Sequence, residues 1–400
     1  MDASTPGRAI MNEFVWKKHE YTKKHSRRPE DTRYVMVIYS GGTLGMKYAP
    51  DQGYIPVAQY LEKKMRTYPM FHDLDYPISQ DTVAAFSPNT PMALPATYHK
   101  YRILYCINEY DPLMDSCNMN MDDWAKLARD IEKHYEQFDG FVILHGTDTM
   151  CYTASALSFM LENLGKPVIL TGAQVPLSEL RSDARDNLLE ALIMAGSGHY
   201  GIPEVTLYFN NKLLRGNRSI KVNSSSFDAF DSPNIAPLVS VGVEVTIQRG
   251  IILERDSKLQ LVVHTTMCCD VGILRVFPGI TATTIRAFLQ PPMRGVVLQT
   301  YGAGNVPAEQ PVLLALKEAC DRGVVVVNCT QCMQGNVTTN YPAARELCEL
   351  GVVSGADLTV EAALTKLSFL LGQTHLSVHN ARKLMARNLC GELTPLTSAL

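Results

Sequence analysis

Two threonines, an aspartate and a lysine stand out among the 400 residues, each inside a short polar segment placed where an apolar run ends or a loop begins. Ser40-Gly41-Gly42-Thr43-Leu44-Gly45-Met46 puts a hydroxyl at the mouth of a glycine turn, where a ligand can approach the backbone. His145-Gly146-Thr147-Asp148-Thr149-Met150 supplies a hydroxyl and an acid in one turn. Arg215-Gly216-Asn217-Arg218-Ser219-Ile220-Lys221 adds an amine, a cation able to depress the pKa of a neighbouring group. Singly, each has a plainer reading. Thr43 can cap a helix, Thr147 or Asp148 can start the helix that runs through Ala154, and Lys221 can be a solvated charge. His145 reads as a satisfied structural histidine at the end of an apolar strand. The first segment is not a Walker loop, because no Gly-Lys-Ser/Thr follows it.

These segments need rigid elements to hold them. Tyr34 to Tyr39 is an apolar, β-forming run that ends at Ser40-Gly41-Gly42, and the unit recurs: Gly140 to Leu144 ends at His145-Gly146, Lys166 to Leu170 at Thr171-Gly172, and Val205 to Phe209 at Asn210-Asn211. Helical periodicity over Thr149–Leu164 and Ala184–Ala195 lies between them. Strands alternating with helices predict a parallel sheet covered on both faces, with ligands outside the strands' carboxyl ends. Residues 241–260 lose the rhythm and read as an interdomain connection. It restarts with strands at 261–263, 295–300 and 324–327 and helices at 281–289, 311–322 and 360–371. The predicted fold class is therefore α/β, with two α/β domains built on parallel sheets. Residues 1–32 form a tail, 33–240 a larger N-terminal domain, 241–260 the linker and 261–400 a smaller C-terminal domain.

Composition bounds the function. At about 100–200 residues per domain, 400 residues predict two domains or three. With 46% hydrophobic and 19% charged residues, the chain is of ordinary globular type, which excludes bulk disorder. A net charge of −3 predicts no nucleic-acid partner, and no apolar run reaches the roughly 18 residues of a spanning helix, so no membrane partner is expected. Residues 1–31 lack the apolar core of a secretory signal. The ten cysteines form no dense framework, which fits a reduced, cytoplasmic location.

In combination, SGGTLGM, HGTDTM and RGNRSIK resemble the L-asparaginase family. So do Gln52-Gly53-Tyr54-Ile55-Pro56, Glu109 to Ser116, Gly172-Ala173-Gln174 with Arg181-Ser182-Asp183, Phe227-Asp228-Ala229-Phe230, and Tyr301-Gly302-Ala303-Gly304-Asn305. The likeness spans roughly residues 33–375 and is to the cytosolic, bacterial type I branch. It implies hydrolysis of L-asparagine to L-aspartate and ammonia, with weaker glutamine hydrolysis, and neither metal nor organic cofactor. Thr43 would attack the amide carbon and form an acyl-enzyme, while Thr147, Asp148 and Lys221 would form a proton relay. The base for Thr43 would be Tyr54 on a mobile lid, or alternatively Tyr341. Gly42, Asp115, Ser116, Cys117, Gly146, Asp148 and Asn305 would contact substrate. Asn305 would serve a neighbouring subunit's site in a homo-oligomer, usually a tetramer built from dimers.

Departures from the family pattern are few. Ser40 replaces a common threonine, and Cys117 stands where Ser or Gln is commoner, a place able to tune affinity or the Asn/Gln preference. Cys332 fits a second, allosteric asparagine site, but Ile220 and Gln299 replace the polar residues expected there. Two competing functions stay within the resemblance. A tRNA-linked amidotransferase subunit normally carries an extra N-terminal β-domain, for which residues 1–32 are too short. A mammalian member with C-terminal ankyrin repeats is linked with lysophospholipase activity, and no such repeat is read before Leu400.

Overall fold

The computed structural model describes residues 31–96, 101–198, 200–254, 256, 258–338 and 342–395, in two compact units that divide between Thr265 and Thr266.

The first unit starts with β1 (Thr32–Gly41), whose Val-Met-Val-Ile-Tyr centre suits a strand buried on both faces. A single turn leads to a hairpin, β2 (Met46–Ala49) and β3 (Gly53–Pro56). Then come β4 (Met92–Ala93), β5 (Arg102–Met114), β6 (Gly140–Leu144), β7 (Leu161–Glu162), β8 (Val168–Thr171), β9 (Val205–Phe209) and β10 (Lys212–Arg215). The unit closes with β11 (Ile220–Lys221), β12 (Phe230–Asp231), β13 (Val239–Val241), β14 (Val245–Ile247) and β15 (Val262–Val263).

Nine of these strands form one sheet in the order β14-β13-β10-β9-β8-β6-β1-β5-β4. Its centre, β9-β8-β6-β1-β5, is parallel, and both edges are antiparallel. The sheet is therefore mixed rather than purely parallel. Helices cover it; that at Met121–His134 starts with a reciprocal capping box between Asn120 and Asp123. The stretch 241–260, read from sequence as a connection, carries β14 paired to β13. Val262–Val263, read as the start of the second sheet, instead pairs antiparallel with β7 in the first unit. The helix expected to reach Leu164 stops at Met160, because Leu161–Glu162 is taken by that pairing.

The second unit has its own parallel sheet, β16 (Val271–Arg275), β17 (Gly295–Thr300), β18 (Val325–Thr330) and β19 (Val353–Ser354), in sequence order. The helix Val360–Gly372 is buried almost throughout. It includes Lys366, whose ammonium lies 2.6 Å from the Glu392 carboxylate with both side chains fully buried. Lys366 also donates to the carbonyls of Met385 and Arg387, and Glu392 accepts the N–H groups of Leu389 and Cys390. A buried ion pair persists only when its remaining hydrogen-bonding capacity is met in this way.

Candidate active site

In a parallel array the carboxyl ends share one edge, so loops that follow neighbouring strands must lie side by side. Here the adjacent strands are β8, β6, β1 and β5. The segments that follow them are Gly172–Gln174, His145–Asp148, Gly41–Thr43 and Asp115–Cys117. Contacts are close. Gly42 has φ 91°, and a Cβ there would stand 2.4 Å from the Gly146 nitrogen. A Cβ on Gly146 would stand 2.4 Å from the Ser116 hydroxyl oxygen. Both positions need glycine because another loop's backbone or buried side chain fills the space. Thr43 opens the short 3-10 turn Thr43–Gly45 and is half-buried. Ser116 is buried in a second such turn, whose entry is fixed by the Asp115 carboxylate accepting the Cys117 N–H at 3.2 Å.

Lys221 reaches this edge from the short β11–β12 hairpin. Its Nζ donates to Thr147 Oγ1 and to Asp148 Oδ1, each at 2.8 Å. Thr147 is buried at 8% exposure, whereas the Asp148 side chain is 65% exposed, so one partner is shielded and the other faces solvent. Thr147 in turn donates its hydroxyl proton to Gln174 Oε1 at 3.3 Å. Sequence reasoning quoted Gln174 in a motif without a role, since a neutral amide carries no signal of its own.

The hairpin β2–β3 projects between the Thr43 turn and the next helix. Tyr48 and Tyr54 are cross-strand partners with ring centroids 5.5 Å apart, edge to face, and 55% and 45% exposed. Partial desolvation, then the nearby Glu179 carboxylate, raise the Tyr54 phenol above its usual range. The segment bearing Glu179 is tied to the Thr43 turn by the Leu177 N–H, which donates to the Leu44 carbonyl at 2.9 Å. Beyond the hairpin, Gln59 holds a left-handed backbone (φ 59°), and its N–H donates to Glu109 Oε1 at 2.7 Å.

His145 is wholly buried. Its Nδ1 lies 2.6 Å from the Gly146 carbonyl, which can only accept, and its Nε2 lies 2.8 Å from the Thr153 hydroxyl, which also accepts the Trp124 indole N–H at 3.0 Å. One direction satisfies all three bonds: Trp124 to Thr153, Thr153 to His145, His145 to Gly146. Burial lowers the His145 pKa to about 4, so the ring is neutral and structural. Cys117 is exposed, and the Asp115 carboxylate bonded to it raises its thiol pKa.

Gly42, Thr43, Asp115, Ser116, Cys117, Gly146, Thr147, Asp148 and Lys221 are thus gathered at one sheet edge, with Tyr54 on the adjoining hairpin. Asn305 belongs to the second unit, where it bridges Tyr301 across a tight turn. Tyr341 lies outside the described residues.

The chain matches the family model described as asparaginase, N-terminal, over residues 34–253 and that for the glutaminase/asparaginase C-terminal domain over residues 270–385. It is 49% identical over 367 residues to a 60 kDa lysophospholipase of Homo sapiens, covering 91% of this chain and 62% of that one. With L-asparaginase 1 of Escherichia coli K12 the identity is 47% over 362 residues, covering 90% and 98%. The crystal structure of L-asparaginase I from Vibrio cholerae matches with a TM-score of 0.77 at 43% identity, covering 91% and 99%. The chain thus spans 62% and 64% of the human and mouse lysophospholipases, and nearly all of the bacterial enzyme.

Proposed function

The chain belongs to the asparaginase family, and from that premise we propose that it hydrolyses L-asparagine to L-aspartate and ammonia through a threonine-linked acyl-enzyme, with weak action on glutamine. The observation that carries the reading is the Lys221 ammonium held 2.8 Å from both Thr147 and Asp148, beside the Gly42–Gly146 contact.

Thr43 Oγ1 attacks the side-chain carbonyl carbon. Its proton passes to Tyr54 as the phenol proton moves toward Glu179, and that proton then returns along the same path to the leaving nitrogen, so that the carbon–nitrogen bond breaks with release of ammonia. Water then attacks the ester, with Thr147, Asp148 and Lys221 handling the proton, and aspartate departs. The hydroxyls of Thr43 and water are weak nucleophiles at neutral pH, so each step needs a positioned acceptor. Asp148, still open to solvent, suits the substrate ammonium, while Ser116 suits its α-carboxylate. The Thr147 N–H, to which no backbone carbonyl of the described residues hydrogen-bonds, suits the oxyanion. Tyr341 remains the alternative base. A homotetramer of dimers, with Asn305 serving the partner's site, and a cytoplasmic location complete the proposal.

Ammonia release from free L-asparagine tests it. Thr43→Ala and Thr147→Ala each remove most turnover in a folded protein. Wild-type turnover in Thr43→Ala would overturn the nucleophile assignment. Lysophosphatidylcholine in the same assay tests the ester hydrolysis named for the human relative; fatty-acid release without ammonia release would replace this reading.

A further inference from the structure

The Lys221–Thr147 pair closes into a ring through a side chain that the catalytic scheme leaves out. Gln174 Oε1 accepts the Thr147 hydroxyl proton at 3.3 Å, and Gln174 Nε2 donates to the Ser226 carbonyl at 3.2 Å. Ser226 lies five residues beyond Lys221, in the loop joining β11 to β12. The circuit thus runs from Lys221 Nζ to Thr147, to Gln174, to Ser226 and back along the backbone to Lys221.

Its polarity is forced. A carbonyl can only accept, so the Gln174 NH2 faces Ser226 and its oxygen faces Thr147. A protonated lysine can only donate, so Thr147 offers Lys221 a lone pair and must send its single proton elsewhere. Gln174 is the acceptor in that direction. The amide itself is anchored from behind. The Gln174 N–H donates to both Asp183 carboxylate oxygens, at 3.2 and 3.0 Å, and the Val175 N–H donates to the same group. Asp183 also sits against the Asn187 side chain, which fastens the segment to the following helix.

We infer that Gln174 is a positioning residue that fixes the Thr147 hydroxyl rotor and clips the Lys221 loop to it, so that a Thr147 lone pair faces the amine. At 3.3 Å the Thr147–Gln174 bond is long and cheap to break. It therefore holds the proton in the resting site yet lets the hydroxyl swing toward the cavity when water or substrate arrives. The inference rests on the amidohydrolase reading for its kinetic consequence but not for its structural one.

Two variants and two readouts test it. Gln174→Met keeps length and shape but has neither acceptor nor donor. It lowers kcat for asparagine about tenfold and leaves KM within about twofold, the pattern of a lost orienting contact. Gln174→Glu resembles it near neutrality, where a carboxylate faces the Ser226 carbonyl. As pH falls and the new carboxyl protonates, its O–H donates to Ser226 while the other oxygen accepts from Thr147, and kcat relative to wild type climbs. A raised KM with unchanged kcat makes Gln174 a substrate contact, and a wild-type kcat in Gln174→Met, or a flat Gln174→Glu ratio across pH, overturns the inference. Hydrogen exchange supplies the second readout. In either variant at neutral pH the amides of residues 222–228 exchange about five- to tenfold faster, as expected for a loop losing one modest tether. Unaltered exchange overturns the clip even if the wild type releases no ammonia, whereas faster exchange in an inactive wild type sinks only the amidohydrolase reading.

Discussion

A methyl group on Gly42 would stand 2.4 Å from the amide nitrogen of Gly146 and 2.7 Å from the His145 carbonyl carbon. Neither neighbour is a flexible side chain that can step aside. Both are backbone at the end of β6, one strand over from β1. Gly42→Ala must therefore separate the Thr43 and Thr147 loops, and it also places a β-carbon at φ 91°. The expected outcome is at least a hundredfold loss of kcat/KM with a stability loss of about 2–3 kcal/mol. Ammonia release and urea titration measure the two, and near-wild-type activity would show that the two loops work independently.

Lys221→Met removes the donor to Thr147 and the cation beside Asp148 while keeping the side chain's length. We predict a loss of kcat of about a hundredfold or more with little change in melting temperature, because the Asp148 partner is largely exposed and such pairs stabilise weakly. Asp148→Asn should instead raise KM more than it lowers kcat. The opposite split would move the substrate ammonium away from Asp148.

Stability should depend on pH through His145. Its folded pKa, about 4, lies below the ordinary 6.5, so the unfolded chain takes up the proton first as pH falls. Stability from this group is complete above pH 6.5 and declines as pH drops toward 4. The decline amounts to about 2 kcal/mol between pH 7 and 5. Urea midpoints of wild type and His145→Gln, read at both pH values, isolate the effect: the variant's difference is smaller by that amount. Equal differences would mean that His145 is not held neutral.

Tyr54→Phe and Tyr341→Phe, made separately, decide which phenol takes the Thr43 proton. Loss of kcat is expected in Tyr54→Phe, with Glu179→Gln reducing it about tenfold, since Glu179 is the group proposed to take the Tyr54 proton. Full activity in Tyr54→Phe together with loss in Tyr341→Phe would reverse the choice.

In the second unit, Glu392→Gln leaves the Lys366 ammonium buried without its counter-charge. The expected cost is about 3–5 kcal/mol. Replacing both partners by apolar residues of similar size should restore much of it. A small loss in the single variant would show that the carbonyls of Met385 and Arg387 suffice for the lysine.

Much of the first unit's candidate site was legible because its polar residues follow β-branched or aromatic runs: Tyr39 gives way to Ser40, and Leu144 to His145. The neighbouring order of those strands was not, since pairing is chosen in three dimensions. β5 escaped detection because Asn108, Glu109, Asp111 and Pro112 interrupt its apolar pattern, although it pairs with β1 along most of its length. Val262–Val263 has the composition of a strand that opens a sheet, yet two residues cannot say which partner they meet. The role inferred for Gln174 was invisible for a different reason. Its importance lies in which of its two amide atoms faces Thr147, and residue type alone does not encode orientation.

The Tyr54 hairpin runs from the Thr43 turn to the left-handed backbone at Gln59, and its two ends are held differently. On one side the Thr43 turn grows from β1, which is sandwiched by β5 and β6, so displacing the proposed nucleophile would require unzipping the middle of a nine-strand sheet. On the other, the Gln59 N–H donates to the Glu109 carboxylate at the exit of the two-strand ribbon bearing Tyr54. Under the proposed mechanism, any rearrangement that admits substrate falls on this ribbon rather than on the Thr43 turn. In that scheme, substitutions at the Gln59–Glu109 contact alter turnover while leaving the central strands intact.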